Sequence, residues 1–179
     1  EMALDSYKEL AQRATNERNQ MFAQMGIITI SREIGNHEDV VACADKLLLM
    51  EVIDNDVKRE VEFVRAYSLK ELNRNSEAEK AWSELAQDVS DIHGAKSAYY
   101  LGQYYYDNNK LGAARKTIEA FIEANTPHQY WLARGFILLS DINRREGKTF
   151  EADEYLKTLK ENYPGTDDDI FRMIDERLK

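Results

Sequence analysis

Cysteine, proline and glycine are all scarce in this chain. A single cysteine, Cys43, excludes an internal disulfide framework and any multi-cysteine metal site. Two prolines and eight glycines in 179 residues leave few points at which a helix must break. With Ala, Leu, Glu and Lys abundant, such a chain is expected to be almost wholly helical. Long apolar runs are missing too. Runs such as Leu47-Leu48-Leu49-Met50 and Phe136-Ile137-Leu138-Leu139 are short, far below the ~18 residues a membrane span needs. No GxGxxG, GxxxxGK(S/T) or GxSxG pattern occurs, so the backbone of a phosphate loop or a nucleophile elbow is lacking. The 33 acidic residues outnumber the 24 basic ones for a net charge of −9. Such an excess repels phosphate and makes nucleic acid and anionic membrane surfaces poor partners.

The residues that remain as candidates for chemistry read as structural. His37, His93 and His128 are scattered, each without a second ligand at i+3 or i+4, whereas zinc requires several donors converging on one point. Cys43 sits between Ala42 and Ala44 on an apolar helix face, the setting of a small core residue. Asp167-Asp168-Asp169 opens a helix, where carboxylates complement free N–H groups and the dipole; a calcium loop would spread its ligands over about 12 residues. The sequence calls for no metal, no cofactor and no catalytic residue.

What is present is a repeat. Ala81, Ala114 and Ala152 follow turn-like breaks at spacings of 33 and 38, and each opens a helical apolar pattern. Gly102 and Ser140 each stand 12 residues upstream of the corresponding alanine. The unit is therefore helix, break, helix, break, with a period near 34. Small residues at Gly102/Ala114 and Ser140/Ala152 would let paired helices approach closely, and a larger one would cost ~1–3 kcal/mol by overpacking. Ser76-Glu77-Ala78-Glu79 and Thr126-Pro127-His128-Gln129 read as capping boxes, with Pro127 at the first helical position. Asn36 or Asp39 can cap the helix that carries Ala44, and Tyr163-Pro164-Gly165 is a stop. Ten helices follow: about 2–15, 17–34, 38–50, 55–74, 77–89, 93–108, 111–124, 128–146, 149–162 and 167–178. The last is apolar on one face through Ile170, Met173, Ile174 and Leu178, as a terminal cap requires.

These patterns resemble the tetratricopeptide (TPR) repeat. The clearest units read Ala98-Tyr99-Tyr100-Leu101-Gly102 with Tyr105, Ala114 and Phe121, and Phe136, Leu139-Ser140, Gly147, Ala152, Leu156, Leu159 and Pro164. The fold class implied is all-α, a right-handed α–α superhelix of about four helix pairs with a leading helix and a capping helix. It forms one domain over 1–179, with repeats at about 17–50, 55–89, 93–124 and 128–162 and a cap at 167–178. The string from Thr126 to Arg134, continued by Phe136 to Ile142, is also similar to the C-terminal end of large TPR proteins of Bacteroidetes, as is the closing Asp168-Asp169-Ile170 with Ile174-Asp175-Glu176-Arg177-Leu178. That resemblance implies the C-terminal module of a longer, signal-bearing protein of the periplasm or cell envelope. The opening Glu1-Met2, with neither a charged nor an apolar leader region, agrees with a segment of something longer.

In a solenoid of this kind the first helices of successive units line the concave side. On the helix at 93–108 the stripe Lys96, Tyr99, Gln103 and Tyr106 recurs at helical spacing, two rings flanked by a cation and an amide. The corresponding positions on the following first helix are Arg134, Ile137, Asp141, Arg144 and Arg145, and on the preceding one Phe63, Ala66, Lys70, Asn73 and Arg74. The expected groove is Phe63, Lys70, Arg74, Lys96, Tyr99, Gln103, Tyr106, Arg134, Asp141, Arg144 and Arg145. Its cations would favour an acidic, partly aromatic or aliphatic peptide of a protein partner. The Asn ligands of TPR clamps that hold a C-terminal carboxylate are missing, so that clamp is not expected. The expectation is a non-enzymatic interaction scaffold. The alternative is a structural module whose repeats stack on other repeats, or self-associate through Leu4, Tyr7 and Leu10 of the first helix.

Overall fold

The computed structural model describes residues 2–179. Among the described residues ten helices follow one another: α1 (Met2–Arg13), α2 (Glu17–Glu33), α3 (His37–Leu47), α4 (Asn55–Glu71), α5 (Asn75–Leu85), α6 (Ile92–Asp107), α7 (Leu111–Glu123), α8 (Gln129–Arg145), α9 (Thr149–Asn162) and α10 (Asp168–Arg177). No strand occurs among the described residues. By its contacts the chain divides into two compact units, Glu1–Ala81 and Trp82–Lys179. Each is described by itself.

Helix ends follow local chemistry. Asn16, Asn36, Asp54 and Asp91 are N-caps whose side-chain oxygens accept from backbone N–H groups two or three residues on. The helices α2, α4, α6 and α8 all end in the same way. Gly35, Asn73, Asn109 and Gly147 take left-handed φ of 72°, 60°, 57° and 80°. The next residue then donates back to the carbonyl five positions earlier: Asn36 to Ser31, Arg74 to Leu69, Lys110 to Tyr105 and Lys148 to Asn143, at 2.8–2.9 Å. This is the Schellman closure, available to Gly and, at small cost, to Asn. These closures recur at spacings of 38, 36 and 38, wider than the 34 suggested by the alanines. They also explain why α4 stops at Glu71, short of the expected 74.

Two expected caps lie elsewhere. α5 begins at Asn75, so Ser76 is inside its first turn. α8 begins at Gln129 after an N-cap at His128, leaving Pro127 outside the helix. The Thr126 hydroxyl is buried and donates to the Val89 carbonyl at 2.6 Å while accepting from the His128 N–H at 3.2 Å. A tertiary hydrogen bond has thus claimed part of the local cap. Asp167 is the N-cap of α10 without a capping bond of its own; its carboxylate accepts from the Tyr163 hydroxyl.

In the first unit α1 packs on α2, α2 on α3 and α3 on α4. The Tyr7 ring lies where a Cβ on Gly26 would stand, about 2.5 Å from its atoms, so α1 meets α2 at a site that only glycine leaves open. Leu4 is buried and Tyr7 packs against Phe22 at 5.7 Å, which already covers much of the apolar face of α1. Lys8–Asp39 ties α1 to α3 at 2.6 Å, and Arg65–Asp45 ties α4 to α3. Cys43 is a free, buried thiol, and that burial pushes its pKa up.

In the second unit α6 packs on α7, α7 on α8 and α8 on α9, while α10 covers α8 and α9. Gly102, Ala114, Ser140 and Ala152 are all buried, as the repeat pattern requires. A Cβ on Gly102 would meet Ile118 at 2.4 Å, four residues beyond Ala114 on α7. The Ser140 hydroxyl donates to the Ala152 carbonyl at 3.0 Å, so this small residue also fastens the crossing. Tyr100 and Tyr104 pack on Trp82, with ring centroids 6.0 and 6.2 Å away. Ile170 and Ile174 of α10 are fully buried with Ala133, Ile137 and Leu156.

Candidate partner-binding face

The stripe expected on α6 turns its polar ends toward α8. Tyr99 is 6 % exposed, so its ring is packed and only its hydroxyl works at the face. That hydroxyl donates to Gln103 Oε1 at 3.2 Å and accepts from Arg134 Nη2 at 2.8 Å. The Arg134 guanidinium lies 4.8 Å from the Tyr99 ring centroid and 5.9 Å from that of Tyr130. Its Nη1 donates to the Tyr130 hydroxyl at 3.1 Å, which donates in turn to Asp169 Oδ2 at 2.7 Å. Gln103 Nε2 donates to Asp107 Oδ1 at 2.8 Å. One chain of hydrogen bonds, Asp107–Gln103–Tyr99–Arg134–Tyr130–Asp169, therefore joins α6, α8 and α10. Burial, then the Asp169 carboxylate that takes its hydrogen bond, pushes the Tyr130 phenol above its ordinary pKa.

A second group lies toward the other end of the same helices. The Arg145 guanidinium stands 3.9 Å from the Tyr106 ring centroid and donates to the Tyr106 carbonyl at 3.1 Å. Asp141 accepts both arms of the Arg177 fork, at 2.7 and 2.8 Å. Arg144 pairs with Asp153 and donates to the Arg177 carbonyl at 2.6 Å, which complements the C-terminal end of α10. Lys96 Nζ lies 5.9 Å from the Trp131 ring, and Trp131 packs against Tyr99, Tyr100 and Tyr130.

The eleven expected positions thus fall into separate groups. Tyr99, Gln103 and Arg134 are brought together, as are Tyr106 and Arg145, while Asp141 and Arg144 engage α9 and α10. Phe63, Lys70 and Arg74 belong to the first unit. Phe63 is 8 % exposed, Lys70 pairs with Glu71 at 2.9 Å, and Arg74 grips Glu77 with two bonds of 2.7 Å. The positive charge counted along the sequence is therefore largely engaged already: Glu77 and Asp153 meet Arg74 and Arg144, while Asp169 meets Arg134 through Tyr130. Tyr130, Trp131, Asp169 and Arg177 were not among the expected residues. Tyr130 could have been found as the i−4 neighbour of Arg134. Arg177 stands 36 residues from Asp141, and no local pattern joins them. No group of three or more His, Cys, Asp or Glu able to hold a metal ion occurs among the described residues.

The crystal structure of MamA, a helical repeat protein, matches this chain with a TM-score of 0.66. The match covers 97 % of this chain and 85 % of that of MamA, at 15 % sequence identity. The fold is TPR-like. No family model matches the chain, and no curated protein matches it. The hydrogen-bonded row from Asp107 to Asp169 runs from α6 across α8 to α10.

Proposed function

We propose that this chain is a non-enzymatic scaffold for protein–protein interaction, and that the shared face of α6, α8 and α10 receives the partner. The observation that carries this reading is the row of side chains from Gln103 through Tyr99, Arg134 and Tyr130 to Asp169. Aromatic rings and a guanidinium held by one another lose little conformational entropy when a partner docks, which favours binding surfaces over idle ones. Trp131 and Lys96 add an apolar body and a cation beside that row. Because the arginines are engaged internally, recognition at this face rests on rings and hydrogen bonds more than on a basic field. A repeat division at about 17–50, 55–89, 93–124 and 128–162 and a place as the C-terminal module of a larger bacterial envelope protein belong to the same proposal. No helix among the described residues is long and apolar enough to cross a membrane.

Photo-crosslinking tests the face directly. A benzophenone amino acid placed at Gln103 or Lys96 should capture a partner from the native host, and one placed at exposed Lys116 on α7 should not. Capture from Lys116 alone would overturn the reading. Fractionation of the native host followed by immunodetection tests the envelope assignment, which a purely cytosolic signal would refute.

A further inference from the structure

Outside the row just described, the second unit has an apolar cleft. It lies between α8 and α9, near the N-terminal end of one and the C-terminal end of the other, with a volume of about 210 Å³. Leu132, Ala133 and Phe136 of α8 form one wall, and Tyr155 and Leu159 of α9 the other, with Pro164 at one end. The Phe136 and Tyr155 rings stand 6.4 Å apart. Pro164 ends α9, and Tyr163 turns toward α10, where its ring meets Phe171 edge-on at 5.8 Å and its hydroxyl bonds Asp167. The pair is thus left open at this end. None of the residues in the hydrogen-bonded row lines the cleft.

The charge around the cleft is one-sided. Its α8 wall carries no ionisable side chain, and the α9 wall continues into the loop that opens α10. Residues 149–169 hold seven carboxylates against two lysines, a balance of −5, while the unit from Trp82 to Lys179 carries −4 in all. Both lysines are already engaged, Lys157 by Glu154 and Lys160 by Asp175. Glu151, Glu161 and Asp168 are exposed. Glu151 lies one turn before Tyr155 on the same stripe of α9.

We infer that this cleft is a second docking site, taking one leucine- or phenylalanine-sized side chain from a partner's peptide segment that carries lysine or arginine on either side of it. The apolar walls receive the side chain, and the acidic helix and loop receive the flanking cations. The site is separate from the α6–α8–α10 face, and its ligand has the opposite charge from the acidic peptide that the basic positions of the chain first suggested.

The probe is a short fluorescein-labelled peptide with one phenylalanine among lysines and serines, titrated with the full chain by fluorescence anisotropy. Two matched peptides replace the phenylalanine by alanine or the lysines by glutamate. Saturable binding of the first peptide is expected, weakened at least roughly tenfold in either matched peptide and falling as salt rises. Thr158→Trp, at an exposed lining position, should plug the cleft and abolish binding with the melting curve unchanged. Glu151→Lys with Glu161→Lys should weaken binding about as much as the glutamate peptide does. Arg145→Glu, on the other face, should leave binding intact. Absence of saturable binding, unchanged binding to Thr158→Trp, equal binding of the glutamate peptide, or loss only in Arg145→Glu would each overturn the inference. So would a dimer that Thr158→Trp converts to monomer, which would make a second copy of the chain the occupant. Cross-linking from Gln103 is independent of all these outcomes, so either reading can fail alone.

Discussion

Gly102→Ala is the sharpest single test of the helix crossing in the second unit. In the middle of a helix the change from glycine to alanine ordinarily gains about 0.5–1 kcal/mol, because glycine loses more backbone freedom on folding. Here the new methyl would stand 2.4 Å from Ile118 Cδ1 and 2.6 Å from its Cγ1. Ile118 is fully buried among Tyr99, Ala114, Leu138, Leu139 and Ile142, so it has little room to yield. Overpacking of this kind costs ~1–3 kcal/mol, and a net loss of about 1 kcal/mol remains after the helix gain is subtracted. Gly112 on α7 is the internal control: a Cβ there meets nothing within 4 Å. Gly112→Ala should raise stability by up to ~0.5–1 kcal/mol. For a chain of this size each kcal/mol shifts Tm by about 2–4 °C, so the two variants should move to opposite sides of the parent in thermal melts followed by circular dichroism. Ile118→Val removes the nearest clashing atom. It should cost ~0.5–1.5 kcal/mol alone and recover part of the Gly102→Ala penalty in the double variant, with a coupling of about 1 kcal/mol. Equal stabilisation by both glycine replacements, or strict additivity with Ile118→Val, would refute the tight crossing.

Three further outcomes are expected. Arg115, then Lys148, bonded to Glu146, hold its carboxyl below the usual carboxylate range, so the stability it adds is present above the unfolded pKa of about 4.3 and is lost as pH falls through the folded value. Urea midpoints between about pH 5 and pH 3 should therefore fall less steeply in Glu146→Gln, by no more than ~1 kcal/mol for so accessible a pair, and parallel curves would contradict the assignment. Asn109, at φ 57°, should tolerate glycine without loss, whereas Asn109→Ala should cost ~1–2 kcal/mol in urea unfolding; equal stability of the two would deny the left-handed closure its role. Cys43 should react with Ellman's reagent only as fast as the first unit opens, because the thiol is buried and its pKa raised; immediate reaction in native buffer would show that α3 is not packed as described.

Much of the architecture was legible because it rests on local rules. Breakers are few, the cap at Asn36 is a one-residue device, and Pro164 stops α9 wherever it is placed. The small pairs at Gly102/Ala114 and Ser140/Ala152 announce close helices by their size alone. The regular turn after α2, α4, α6 and α8 was harder to see, since asparagine at 73 and 109 performs the left-handed closure that glycine performs at 35 and 147. The face on α6 was legible as a stripe but not as a chemistry. Periodicity sets which side chains share a helix face; it says nothing about what meets them from another helix.

Helicity, helix order and the pairing of neighbours thus follow from the amino-acid sequence, because hydrogen bonds within a helix and apolar spacing act over a few residues. The state of Arg134, Arg144, Arg145 and Arg177 was decided only by tertiary structure. Arg134 became the partner of Tyr99, and Arg177 that of Asp141, because side chains of helices 35 and 36 residues apart along the chain were brought within hydrogen-bond distance. The open cleft between α8 and α9 also belongs to the assembled form. A cavity is a property of how two surfaces fail to meet, and neither surface carries that information alone.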